Sequence, residues 1–218
     1  MKIFKVALIA IAIFIGANVS AQNSPITFGV KAGINLSNFY GNGVENLDLK
    51  AKPGFNVGVT MDYAFTPAMY LMTGLELTTK GAKWSTREDG ETLKVTSNPM
   101  YLQLPVHFGY KIDIAPGTRF VLHAGPYVAY GVGGKDTITY NGGKRSFNIF
   151  GKDNAAKAMG IEGVEAERFD YGVGLGVGVE FGQINVGLGY DLGLGNLSGV
   201  KEAKQQNMNA YLSVGYRF

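Results

Sequence analysis

The chain has 218 residues, 46% hydrophobic and 17% charged, with a formal net charge of +3 and no cysteine. Without cysteine there is neither a disulfide framework nor a site for lipoprotein acylation. Lys2 and Lys5 supply most of the excess charge, since 18 basic against 17 acidic residues remain without them, so charge gives no ground for nucleic-acid binding.

The N-terminus reads as an export signal. Lys2 and Lys5 precede the apolar run Val6–Ile15, and Val19-Ser20-Ala21 forms a small-residue cleavage site before Gln22. We therefore expect a cleaved signal over residues 1–21 and one domain over residues 22–218. No later segment reaches the roughly 18 apolar residues of a membrane helix, so only strands could span a bilayer.

Alternation then recurs down the chain. Ile26, Phe28, Val30, Ala32, Ile34 and Leu36 share one face of a first strand, and the polar segment Ser37–Lys52 reads as a loop. Phe55, Val57, Val59, Met61, Tyr63 and Phe65 define a second strand, joined by Thr66-Pro67-Ala68 to a third carrying Met69, Leu71, Thr73, Leu75, Leu77 and Thr79. Gly81–Asn98 reads as a long charged loop. The fourth strand carries Met100, Leu102, Leu104, Val106, Phe108 and Tyr110; after the tight turn Asp113–Gly117 the fifth carries Phe120, Leu122, Ala124, Pro126, Val128, Tyr130 and Val132. Pro105 and Pro126 lack ladder donors, so bulges or local irregularities are expected there.

In the insertion Gly133–Arg168, Thr137–Tyr140 and Arg145–Ile149 flank Asn141-Gly142, a hairpin-turn signal that would continue the fifth strand upward as a ribbon. Asp153–Met159 could form a helical turn or two. The sharpest alternation follows. Phe169 to Phe181 sets Phe, Tyr, Val and Leu against Asp170, four glycines and Glu180, and after the Gly182-Gln183 turn Ile184 to Gly193 repeats the pattern. These glycines recur at period two and nowhere form G-x-G-x-x-G, so no phosphate loop is indicated. A nearly side-chain-free face suits the crowded interior of a narrow barrel. The loop Asn196–Gln206 leads to a last strand with Ala210, Leu212, Val214, Tyr216 and Phe218 on its apolar face.

The expected fold is all-β: an eight-stranded antiparallel up-and-down transmembrane β-barrel with short periplasmic turns and long external loops. Charge supports lipid outside. None of the apolar-face positions is Asp, Glu, Lys or Arg, whereas Lys31, Asp62, Glu76, Lys80, Lys111, Arg119, Asp170, Glu180, Asp191 and Arg217 all take the other parity. That polar parity is otherwise mostly Gly, Ser, Thr and Asn, unlike the Lys/Glu coat of a soluble barrel. Aromatics gather near the ends of the apolar face, as interfacial girdles do.

Several stretches resemble the PorT-type outer-membrane β-barrel family of Bacteroidetes: Tyr101-Leu102-Gln103-Leu104-Pro105-Val106, Gly125 to Gly131, Phe169 to Glu180, Tyr190 to Leu197 and the terminal Tyr216-Arg217-Phe218. The resemblance runs from about Ile26 to the end, with loops matching loosely. It implies an eight-stranded barrel, export to the outer membrane and no family-wide enzymatic activity. Terminal Phe218 with Tyr216 also resembles the signal read by the barrel-assembly machinery.

An eight-stranded barrel is filled by its own side chains. We expect a structural lumen network of Lys31, Asp62, Glu76, Lys80, Gln103, His107, Arg119, His123, Asp170, Glu180, Asp191 and Arg217, with its charges paired. Lys31 and Asp62 are expected at similar depth, with Glu76 and Lys80 higher. His107 and His123 face inward on neighbouring strands. Their expected role is hydrogen bonding with Tyr101, Tyr127 and Gln103, not a metal site or an acid–base pair, since ligand spacing is not established. No catalytic residue, metal or cofactor is expected. The expected function is that of a non-enzymatic outer-membrane protein, structural, adhesive or accessory (secretion-related included), acting through external loops. The alternatives are a lipid-modifying outer-membrane enzyme and a soluble lipocalin-like binder. Expected partners are outer-membrane lipid, the assembly machinery and an external or envelope protein, with no nucleic acid.

Overall fold

A computed structural model describes residues 25–45, 47–88, 91–140, 143–150, 166–198 and 203–218. The expected signal, the Asn141-Gly142 turn and the helical turn over Asp153–Met159 lie outside them. Ten antiparallel strands make one sheet: β1 (Ile26–Tyr40), β2 (Leu49–Ala64), β3 (Met69–Thr79), β4 (Ala82–Glu88), β5 (Glu91–Ala115), β6 (Thr118–Tyr140), β7 (Gly143–Asn148), β8 (Phe169–Phe181), β9 (Ile184–Gly193) and β10 (Gln206–Arg217).

Eight of them close a barrel. β1 pairs with β2, β2 with β3, β3 with β5, β5 with β6, β6 with β8, β8 with β9 and β9 with β10. The seam is β1 against β10, in register from Gly29↔Arg217 to Tyr40↔Gln206. Closure matters because a barrel without edges leaves no ladder group unpaired in hydrocarbon.

Three tight turns lie at one end. At β2–β3 the Thr66 hydroxyl accepts from the Met69 amide at 2.9 Å. At β5–β6 and β8–β9 glycines occupy left-handed backbone, Gly117 at φ 72° and Gly182 at φ 56°. At the other end β5 and β6, 25 and 23 residues long, overrun the barrel. There β4 pairs with β2 and β5, and β7 pairs with β6. The expected ribbon beyond the fifth strand is therefore present. The expected loop Gly81–Asn98 is instead β4 plus the top of β5, and β2 begins at Leu49 within the expected loop Ser37–Lys52. Ladder pairing holds these segments as strands although their outer positions are polar.

At the prolines the register is retained: the β3–β5 ladder is interrupted between Thr73↔Val106 and Glu76↔Gln103, and the β5–β6 ladder between Pro105↔Tyr127 and Phe108↔Ala124. The shifts in register lie elsewhere, at Met100/Tyr101 and Asp113/Ala115. The first leaves Val132 unpaired on β6, which reverses the parity of β6 above it.

Apolar side chains point outward around the whole barrel, Ile34, Leu188 and Val214 being 66%, 58% and 54% exposed. The glycines of β8 are inside, and the space they free is taken. A methyl on Gly176 would sit 2.4 Å from the His123 ring, and one on Gly174 would sit 2.7 Å from Asp191 Oδ1. Bare backbone on β8 is what lets side chains of β5, β6 and β9 reach across a narrow lumen.

Candidate functional site: the lumen and its external mouth

The lumen is a ladder of ion pairs. Nearest the turns, Glu180 of β8 receives three cations: Lys111 at 3.0 Å, Arg119 at 3.0 Å and Arg217 at 2.8 Å. Asp62 shares Lys111 at 3.7 Å, and the Lys111 ammonium lies 4.4 Å from the Tyr70 ring centre. Three cations around two carboxylates, with the aromatic face as a further acceptor, keep this layer close to neutral.

One layer further up, Lys31 pairs with Glu76 at 2.5 Å. Lys31 stands opposite Gly58, and Gly58 opposite Glu76, so the two charges share a rung across the bare backbone of β2. Asp62 stands opposite Thr27, four residues away from Lys31 along β1. The expected levels of these residues are thus corrected: Glu76 is level with Lys31, and Asp62 is nearer the turns. Shear between strands sets these levels, and counting from each turn does not register it.

His107 and His123 meet, Nδ1 to Nδ1 at 2.9 Å, with ring centres 5.1 Å apart. One ring must carry hydrogen on Nδ1 and the other accept there. The expected bonds to Tyr101, Tyr127 and Gln103 are not the ones formed: Gln103 donates to Asp191 at 2.9 Å, and Tyr127 to Asp170 at 3.3 Å. Among the described residues no group of three His, Asp or Glu side chains could hold a metal ion.

At the top Lys80 and Asp170, each 0% exposed, pair at 3.0 Å. Asp170 also accepts from Asn207 at 3.0 Å, and Lys80 lies 4.3 Å from the Tyr127 ring centre and 5.4 Å from that of Tyr101. Tyr101, Tyr127, His107, Asn56, Asn207 and Asn209 are also fully buried here, so side chains fill the section between the two ends. All twelve expected network residues face this lumen. Lys111, Tyr70 and Asn207 belong with them; their polar parity was visible in the sequence, their partners were not.

Each end has a small cavity. The lower, about 70 Å³, is lined by Lys31, Asp62, Tyr70, His123, Glu180 and Arg217. The upper, about 180 Å³, lies beneath the ribbons between Phe39, Trp84, Tyr101 and Phe150, with Ser97, Asp136 and Glu167 on its walls. Arg168 braces Phe150, donating to its carbonyl at 3.1 Å and to that of Gly131 at 2.9 Å, and Phe150 meets Tyr101 edge-on. Burial holds the Asp136 carboxyl above the usual carboxylate range, and a hydrogen bond with Ser97 opposes that rise.

A family model described as outer membrane protein beta-barrel domain matches residues 20–199. No curated protein matches the chain. Among solved structures the chain is similar to the attachment invasion locus protein Ail of Yersinia pestis, at 16% identity and a TM-score of 0.41 over 88% of this chain and 98% of that one. It is also similar to OprG from Pseudomonas aeruginosa, at 12% identity and a TM-score of 0.49 over 88% and 95%. Neisserial surface protein A gives 13% identity and a TM-score of 0.41 over 88% and 97%.

Proposed function

The chain belongs to the outer membrane protein beta-barrel domain family, and on that premise we propose that it is a non-enzymatic component of the outer membrane that works through its external end as a structural, adhesive or accessory protein. In this reading residues 1–21 are a cleaved export signal, the barrel-assembly machinery inserts the chain, and a PorT-like branch is its place within the family. One observation carries the reading: the lumen is occupied by its own paired charges, while among the described residues strands continue outward only at the end away from the tight turns. A plugged cylinder with an elaborated rim has its accessible chemistry at the rim.

The outward apolar face and charged interior are the reverse of a soluble binder with a greasy cavity. Both histidine Nδ1 atoms face each other and not a nucleophile. Replacing His107 and His123 with Gln should leave the cell's lipid species unchanged; a lost lipid modification would restore the enzymatic alternative. The main test uses the absence of cysteine. Ser146→Cys on exposed β7 gives a unique crosslinking site in intact cells. Capture of an envelope or external protein supports the reading. Large, stable conductance of the purified barrel in planar bilayers overturns it.

A further inference from the structure

Above the barrel the continuing sheet has two unlike faces. Ala82, Leu49 and Trp84 turn inward and pack with Phe39 and Val44. The register then fixes which residues turn outward. Lys50 stands opposite Lys83, Lys83 opposite Thr96, Thr96 opposite Thr137 and Thr137 opposite Ser146. The Thr137 and Ser146 hydroxyls, 3.1 Å apart, lie on that shared side. The rung above holds Ser85, Lys94, Thr139 and Lys144; the rung below holds Asn98, Lys135 and Asn148. All five lysines are exposed. Asp136, the acid of upper β6, stands opposite Ser97 on the inward face.

This surface carries an electrostatic cost that the protein's described residues do not relieve. Like charges directly opposite in a sheet are destabilising, and Lys50 faces Lys83. Lys50 has Asp48 at 3.8 Å, a solvent-exposed contact of little value. Among the described residues Lys83, Lys94, Lys135 and Lys144 form no ion pair.

Position identifies the counter-charge. The lysine face is the upward continuation of the lipid-facing surface, reached from Met100 across the bulge at Met100/Tyr101. From Phe120 to Tyr130 the outward face of β6 crosses the apolar band, roughly 25 Å at about 2.5 Å per residue for a tilted strand. The same rise puts Lys135 roughly 13 Å above Tyr130 and the rung of Lys94 and Lys144 roughly 23 Å above it. A phospholipid headgroup layer is only about 6 Å deep. It reaches the lowest lysine at most, even with the side chain bent down. A headgroup built of sugars that carry phosphate spans the whole face.

We propose that Lys50, Lys83, Lys94, Lys135 and Lys144 form a docking face for the phosphorylated sugar headgroup of an outer-leaflet glycolipid, whose acyl chains lie on the apolar belt below. The proposal rests on the outer-membrane reading, which cell fractionation tests separately and which the lysine substitutions leave untouched. The full barrel in detergent is mixed with an acylated diglucosamine extended by a phosphorylated oligosaccharide, the same lipid without phosphate, or phosphatidylethanolamine, and bound lipid is counted by native mass spectrometry. The wild type should retain the phosphorylated glycolipid roughly ten-fold more tightly than the other two. That preference should fade as salt rises. The combined variant K50Q/K83Q/K94Q/K135Q/K144Q should lose it while keeping the heat-modifiable gel migration of a folded barrel. Equal retention of all three lipids by the wild type, or an undiminished preference in a folded variant, overturns the proposal. So does a soluble sulfated glycan that competes as well as the acylated lipid, which would assign the face to an external polyanion.

Discussion

Lys80 and Asp170 show how a charge survives in the middle of a barrel. Neither touches solvent, and bringing both out of water costs several kcal/mol per ion before any attraction is counted. Their contact at 3.0 Å is supported by Asn207 on the same carboxylate oxygen and by the Tyr127 ring beneath the ammonium. Removing one partner leaves the other buried and uncompensated, whereas replacing both by apolar side chains removes the penalty with the pair. Lys80→Met should therefore lower stability in lipid vesicles by about 3–5 kcal/mol, and adding Asp170→Leu should recover most of that loss. Urea unfolding followed by gel migration reads both. The parity of the sequence placed Lys80 and Asp170 on one face; it could not show that two residues 90 positions apart meet, because that depends on closure of the barrel and its shear.

The β8–β9 hairpin applies the same logic at the scale of an element. Its glycines are not equivalent. A methyl on Gly189 would meet the Tyr211 ring at 2.2 Å, whereas on Gly187 the nearest atom is the Val177 carbonyl oxygen at 3.3 Å, followed by side-chain atoms at 3.6 and 3.9 Å. Overpacking a filled interior costs about 1–3 kcal/mol, so Gly189→Ala should destabilise by that amount and Gly187→Ala by well under 1 kcal/mol. Denaturant midpoints of the two variants compared in one lipid settle the contrast. Alternation revealed this hairpin because one face is apolar from Phe169 to Leu192 without a break. β4 and the top of β5 have no outward apolar face: Lys83, Ser85, Lys94 and Thr96 look outward into a polar layer, so their strand character rests on pairing and on the inward packing of Ala82 and Trp84. The bulge at Val132 hid the rest, since it moves Asp136 inward and Thr137 outward, a reversal that no periodicity of two can contain.

For the whole molecule the two solvents of the barrel are inverted, with ions at the axis and hydrocarbon side chains at the rim. That inversion is stable only where lipid surrounds it, and it can be mapped by height. Leu188 lies opposite Val177 and Leu212 on the outward face and is 58% exposed, near the middle of the apolar band. Thr137 looks outward on the lysine-bearing ribbons, above the aromatic positions Tyr130 and Phe169. A positive charge at mid-depth must thin the bilayer or draw water to it, while one above the girdle keeps its hydration. Leu188→Arg should cost about 2–4 kcal/mol in vesicles, and Thr137→Arg no more than about 1 kcal/mol. Reversible unfolding from vesicles of matched thickness gives both values. Equal costs at the two heights would mean that the apolar belt between Phe120 and Tyr130 does not face hydrocarbon, and the transmembrane placement of the barrel would fall with it.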